Sequence, residues 1–401
     1  MCVRRFLTLN GEVWLQISWE EWLLRLLFLS YSLFLAGFFY VPNAVDLYKF
    51  YSIAVLVPGL FLIPRAWCLL HRNALFLLVI GYLGYMMLTP AWGDDFAWQA
   101  YLKYLRLALY VVVFIVITVV LRQRWPKHFA YLLRFISLLV AVAALVSIVL
   151  WYMDPKAGYR LVGIGILENP NASGYAYAVF AVMNLAYSFD RTPRAYIRVL
   201  HALAFMSLLV FVLLTYSRGA LLALVTACLV IFSGRRPRNS LIAILGLGVA
   251  ILFVHRYFPE VDAALNRGIG YRPEIWRLML SRVSEAPIWG GGYLSNQYVL
   301  LDARTNLYVF AHNAYLATLR DGGIVGGGLM FAMLSMAAYR AWLIGRCHAD
   351  YRYLALLVLA LACMFLDTDR LLTRPRELWL ILWLPLALII SEHMASKRGG
   401  S

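Results

Sequence analysis

Charge is what this sequence has least of: 14% of its 401 residues are charged, 63% are hydrophobic, and mean hydropathy is +0.74. That scarcity excludes an ordinary soluble globular domain, in which about a quarter of the residues are charged. Cysteine is sparse too. The five residues Cys2, Cys68, Cys228, Cys347 and Cys363 lie in or beside apolar runs or in basic stretches, which argues against a disulfide framework, and no His/Cys cluster has zinc spacing. There is no phosphate-cradling Gly-x-x-x-x-Gly-Lys loop and no Gly-x-Gly-x-x-Gly after a strand, so a soluble nucleotide has no seat. No repeat of about 20 to 50 residues is present. Acidic residues are the rarer sign, 20 against 36 Lys and Arg, for a formal charge of +16. The basic residues form short clusters between apolar runs rather than one continuous face, which speaks against nucleic acid as a partner and for the cytoplasmic loops of a membrane protein.

What is present is a succession of apolar runs of bilayer-crossing length. Spans are expected near 23–42, 49–64, 73–89, 104–121, 131–152, 172–188, 198–215, 219–233, 239–254, 323–341, 352–366 and 377–391. The sequence therefore reads as an all-α polytopic membrane protein of about 12 transmembrane helices, one integral membrane domain over 1–401. The even connections carry Arg65/Arg72, Arg122/Arg124/Lys127, Arg191/Arg194/Arg198, Arg235/Arg236/Arg238 and Arg340/Arg346/Arg352. Short loops on that side hold roughly twice the Lys and Arg of the other, which makes it cytoplasmic, along with both termini. The first 22 residues hold Glu12, Glu20 and Glu21 and no cleavage site follows, so the first helix is expected to remain uncleaved. One long outer loop, 255–322, is expected between the ninth and tenth spans, carrying a short helix that starts at Arg272-Pro273-Glu274 and ends before a flexible Gly290-Gly291-Gly292 turn.

Several polar residues stand out against this apolar background. Arg218 lies between two spans with almost no loop and no adjacent acid; it must find water, a headgroup or a ligand anion. Arg272 precedes a proline-started helix whose free N–H groups can join its guanidinium around one phosphate. Arg267 and Arg277 share that loop as further candidate contacts, the alternative for all three being basic residues on a solvated surface. His312 sits at the edge of the tenth span, a position for a base or for a structural imidazole bonded to a carbonyl, with Asn313 as an orienting partner. The Gly322-Gly323-x-x-Gly326 run allows close approach of backbone or lipid, or simply packs a helix. Asn169 and Asn171 can hydrogen-bond a sugar or cap a helix. Asp367-Thr368-Asp369 can hold a divalent cation or be neutralised by Arg370, Arg374 and Arg376, and the second reading is preferred, so no metal and no cofactor is expected.

Three motifs together, Ser217-Arg218-Gly219-Ala220-Leu221-Leu222, Arg272-x-x-Ile275-Trp276 followed by Ala286-Pro287-Ile288-Trp289-Gly290-Gly291-Gly292, and His312-Asn313-Ala314-Tyr315-Leu316, resemble the O-antigen ligase and polymerase superfamily. The spacing from His312-Asn313 to Gly323-x-x-Gly326 is closer to the ligase branch. The resemblance implies a GT-C-like, metal-independent, inverting glycosyltransferase of the bacterial inner membrane with its active site facing the periplasm. Its donor would be undecaprenyl-pyrophosphate-linked O-antigen, its acceptor a sugar hydroxyl of the lipid A–core oligosaccharide. Arg218 and Arg272 would then hold the pyrophosphate and His312 would be the base. An O-antigen polymerase or a protein O-oligosaccharyltransferase would keep the same arginines with a different acceptor. A non-enzymatic lipid-linked glycan transporter would also need membrane arginines, together with inverted repeats.

Overall fold

The computed structural model describes residues 19–93, 95–154, 158–190, 194–235, 271–302 and 307–398. The expected ninth span, the start of the long loop and Arg267 lie outside the described residues. The described chain is almost entirely helical, and six of its helices are long and apolar enough to cross a membrane. A helix satisfies its own backbone polar groups, which is why a chain this poor in polar residues resolves into helices.

Asparagine and proline punctuate the helices. Following α1 (Trp19–Tyr40), Asn43 caps α2 (Ala44–Phe50) by accepting from the Val45 N–H at 2.8 Å. A π-helical turn (Tyr51–Leu56) leads into α3 (Val57–Leu60) and α4 (Ile63–Leu70). Asn73 caps α5 (Ala74–Leu88) through the Phe76 N–H at 3.2 Å. Next come α6 (Trp98–Arg124) and α7 (Pro126–Met153), the latter opened by Pro126. Asn169 and Pro170 open α8 (Pro170–Ser188), followed by α9 (Ala195–Leu214) and α10 (Arg218–Arg235). These are the residues that satisfy or forgo the free N–H groups of a first helical turn.

Helix α8 is the axis of the bundle, buried continuously from Ser173 to Tyr187. Gly174 lets α10 approach it, since a Cβ there would lie 2.8 Å from the Ala220 Cβ, the close small-residue packing that membrane helices use in place of a hydrophobic drive. On its other side Tyr177 stacks on Phe211 of α9 at 3.8 Å.

Beyond the undescribed segment, α11 (Arg272–Glu285) leads to an antiparallel hairpin, β1 (Val299–Asp302) and β2 (Leu307–Val309), with Val299 opposite Val309. The hairpin is a departure from the all-helical expectation, and the β-branched and aromatic residues of Val299-Leu300-Leu301 and Tyr308-Val309 account for it. Ile275, Met279, Val299, Ala311 and Ala317 form a small core of their own. The bundle closes with α12 (Ala314–His348), α13 (Arg352–Leu366), a π-helical turn (Trp379–Trp383) and α14 (Leu384–Arg398).

Helix α12 is two helical segments joined at a kink at Gly323, the position at which the tenth span was expected to start; the first segment, from Ala314, is capped by Asn313, which accepts from the Tyr315 and Leu316 N–H groups at 3.0 and 3.1 Å. One expectation needs correcting. Gly290-Gly291-Gly292 is not a free turn: Gly291 and Gly292 donate to the Arg320 and Asp321 carbonyls at 2.9 and 3.0 Å, and Ile324 donates back to Pro287 at 2.8 Å. This seam sits at a kink in α12, where Gly323 has φ 61°. A Cβ on Gly323 would collide with the Ile288 carbonyl, and one on Gly290 with the Asp321 carbonyl; glycine is required at both by close approach and by backbone angle.

Candidate functional site

Four helix ends converge at one end of the bundle: the starts of α8, α10 and α11 and the end of α13. Between the start of α8, the end of α13 and the link before α12 lies a cavity of about 440 Å³ whose lining includes Asn169, Tyr175, Gln297, His312, Asp367 and Arg370.

His312 reaches this cavity from the short link between β2 and α12. Its φ of 48° is a left-handed conformation that non-glycine residues adopt at some cost. The surroundings over-determine it: Asn313 is fixed as the cap, and the Trp276 indole N–H donates to the Ala311 carbonyl at 3.1 Å. Phe310 packs on the imidazole with ring centroids 4.1 Å apart.

Asp367 is the centre of the arrangement. Its Oδ1 lies 3.5 Å from His312 Nδ1 and 3.9 Å from Arg272 Nη2. Phe365 sets it there, packing against Trp276 of α11 at 5.3 Å and Tyr315 of α12 at 6.4 Å. His312 Nδ1 is buried and makes no hydrogen bond among the described residues, its 3.5 Å approach to Asp367 being an ion-pair contact, while the side chain as a whole is 33% exposed. A carboxylate near one ring nitrogen, with part of the ring accessible, is an arrangement that suits a base.

Behind this layer is a buried cluster of charge. Asp321, 1% exposed, accepts from Arg320 Nε at 2.7 Å and from Arg370 Nε at 2.9 Å. Arg320 Nη1 donates to the Gln297 carbonyl at 2.9 Å and Arg370 Nη2 to the Ser295 carbonyl at 3.1 Å, so the cluster ties the segment carrying Ser295 and Gln297 to the kinked helix. Burial disfavours the charge of Arg370, but Asp321, Tyr293 and Tyr104 together outweigh it and hold the guanidinium more firmly protonated than usual. Burial raises the affinity of Asp369 for its proton, an effect that Arg320, 3.8 Å away, opposes.

Of the residues singled out from the sequence, His312, Asn169 and the Asp367-Thr368-Asp369 run line the cavity. Arg272 joins through Asp367. Arg218 opens α10 with an exposed side chain and is not among the lining residues; its neighbour Gly219 abuts the Tyr175 hydroxyl and Leu366, one residue from Asp367. Arg277 is on the exposed face of α11. Asn169 also caps α8, Asn171 accepts from Arg160, and Asn313, 2% exposed, serves as a cap. Asp369 lies 3.8 Å from Arg320, which is distant from it in sequence. Sequence reading did not give Asp367 as the partner of His312, nor Arg370 and Gln297 as site residues.

Comparison with known proteins places these features. Residues 202–332 match the family described as O-Antigen ligase. Over 399 residues the chain is 29% identical to the O-antigen ligase of Pseudomonas aeruginosa, covering 95% of this chain and 94% of that protein. The resemblance to O-antigen ligases is borne out. The matches support an enzyme, a glycosyltransferase. The O-antigen ligase match contains Arg218, Arg272, His312 and the glycine seam, and Asp367 lies beyond its end.

Proposed function

We propose that this protein transfers O-antigen polysaccharide from undecaprenyl pyrophosphate to a sugar hydroxyl of lipid A–core, at the periplasmic face of the inner membrane. The observation that carries the reading is His312 backed by Asp367, with Arg272 on the same carboxylate. The acceptor hydroxyl gives its proton to the accessible nitrogen of His312 as its oxygen attacks the anomeric carbon. The bond from that carbon to the pyrophosphate breaks, and undecaprenyl pyrophosphate leaves with its electron pair. A single displacement inverts the configuration. Asp367, 3.5 Å from Nδ1, offsets the charge of the imidazolium as it forms. The leaving group needs charge stabilisation more than a proton, and Arg272 and Arg218, each at a helix N-terminus, supply it together with free N–H groups. At 3.9 Å the ion pair of Arg272 with Asp367 is loose, so the guanidinium can turn to a phosphate without leaving a buried charge behind.

The test is reconstitution with purified lipid-linked O-antigen and lipid A–core, with products separated on a gel. Polysaccharide-bearing lipid A–core is the expected product; a lengthened lipid-linked polymer, or no product, would overturn the reading. In that assay Arg272→Ala and Arg218→Ala should each lose about 10²- to 10³-fold in rate, the worth of one charge-stabilising donor. Lysine in either place should restore only part, because it lacks the planar fork. Wild-type turnover in both alanine variants would remove the arginines from the scheme.

The membrane orientation has its own test. Ser295 is bound into the loop seam, whereas Tyr308 of the hairpin is 56% exposed, so Tyr308→Cys is the better probe. It should react with an impermeant maleimide in intact spheroplasts. Labelling only after lysis would put the cavity on the cytoplasmic side.

A further inference from the structure

A second cavity, of about 460 Å³, opens at the other end of the same helices, where α6 turns into α7 and α13 begins. From Tyr104, at the first cavity, to Arg122, at the second, α6 rises about 27 Å at ~1.5 Å per residue. That places the two cavities at opposite faces of the membrane, the second among the basic connections.

Its walls are of two kinds. Arg134 and Arg352 approach one ring, lying over Tyr187 at 5.3 and 5.1 Å. Arg134 engages Asp190 through Nη2 at 2.8 Å and Arg352 engages Asp350 through Nε at 2.7 Å, while Arg122, paired with Glu392, completes the charged part of the lining. Beside them, both amide atoms of Gln123 are buried and have no hydrogen-bond partner. A buried amide with neither bond made is costly unless something fills the site. The rest of the lining is largely apolar, including Phe129, Leu133, Leu356 and Leu388. Guanidiniums and an unbonded amide suit a phosphate; the apolar lining beside them suits what a phosphate head is attached to.

We propose that this cavity binds the headgroup of an anionic phospholipid, its phosphate on Arg134, Arg352 and Gln123 and its acyl chains on the apolar lining. The site is independent of the reaction at His312. Gln123→Leu is the discriminating variant, because Gln123 makes no hydrogen bond that the change could break. Detergent-purified full-length protein is titrated with dioleoylphosphatidylglycerol while its melting midpoint is followed. The wild type should show a saturable rise, with the half-saturating lipid concentration about tenfold higher in Gln123→Leu and higher still in Gln123→Leu/Arg352→Gln. Dioleoylglycerol and inorganic phosphate, each carrying half the chemistry, should give no saturable rise. Identical titrations of wild type and Gln123→Leu would overturn the proposal, as would an equal rise with inorganic phosphate, which would make the cavity a free-anion site.

Discussion

His312→Ala should lower the turnover of the reconstituted enzyme by about 10²- to 10⁴-fold, the usual worth of a positioned base, while donor affinity is largely kept. The side chain is one-third exposed and only its Nδ1 faces Asp367, so removing it opens no core cavity and the variant should fold. Asp367→Asn should reduce turnover with the donor KM little changed, since an amide cannot balance an imidazolium. A folded His312→Ala protein with wild-type turnover would make the histidine structural.

How much of this was legible in the sequence differs from element to element, for physical reasons. Membrane helices declare themselves by hydropathy because lipid permits little else, and Asn73, Pro126 and Asn169 mark where they start. At α12 hydropathy gave only the segment that follows the Gly323 kink. Arg320 and Asp321 made the turns before it look like loop, because a local window cannot see that their charges are closed by Arg370, on a distant segment. The glycines were legible as places of close approach, and the structure supplies the partner, the 287–292 strand of loop. His312 and Arg272 were legible as types at special positions. Asp367 was visible as an acid at a helix end, but its role rests on the packing of Phe365 against Trp276 and Tyr315, a contact between elements far apart in the chain. Arg218 is the residue on which motif and geometry agree least directly, since it sits beside the cavity rather than in its lining.

The largest effect on stability should come from Asp321→Ala. Asp321 is the only acid that both Arg320 and Arg370 reach at hydrogen-bond distance among the described residues, and both guanidiniums are 9% exposed or less. Deleting one partner of a buried ion pair strands the others and costs about 3 to 5 kcal/mol. At ~2 to 4 °C per kcal/mol this is roughly a 6 to 20 °C fall in melting midpoint, read by following the monodisperse fraction of detergent-purified protein on heating. Asp321→Asn should fall between the variant and the wild type, keeping shape and losing charge. The loss should reach the site as well, because Arg370 and Arg320 hold the carbonyls of Ser295 and Gln297, and Gln297 lines the cavity. Asp321→Ala should therefore also lose transfer at temperatures where it remains folded. The double variant Asp321→Ala/Arg370→Ala should be less destabilised than the sum of the two single changes, since it removes one stranded cation along with its partner. Additive losses, or an Asp321→Ala protein that melts with the wild type, would mean that the glycine seam holds the 287–297 segment on α12 without help from the buried charges.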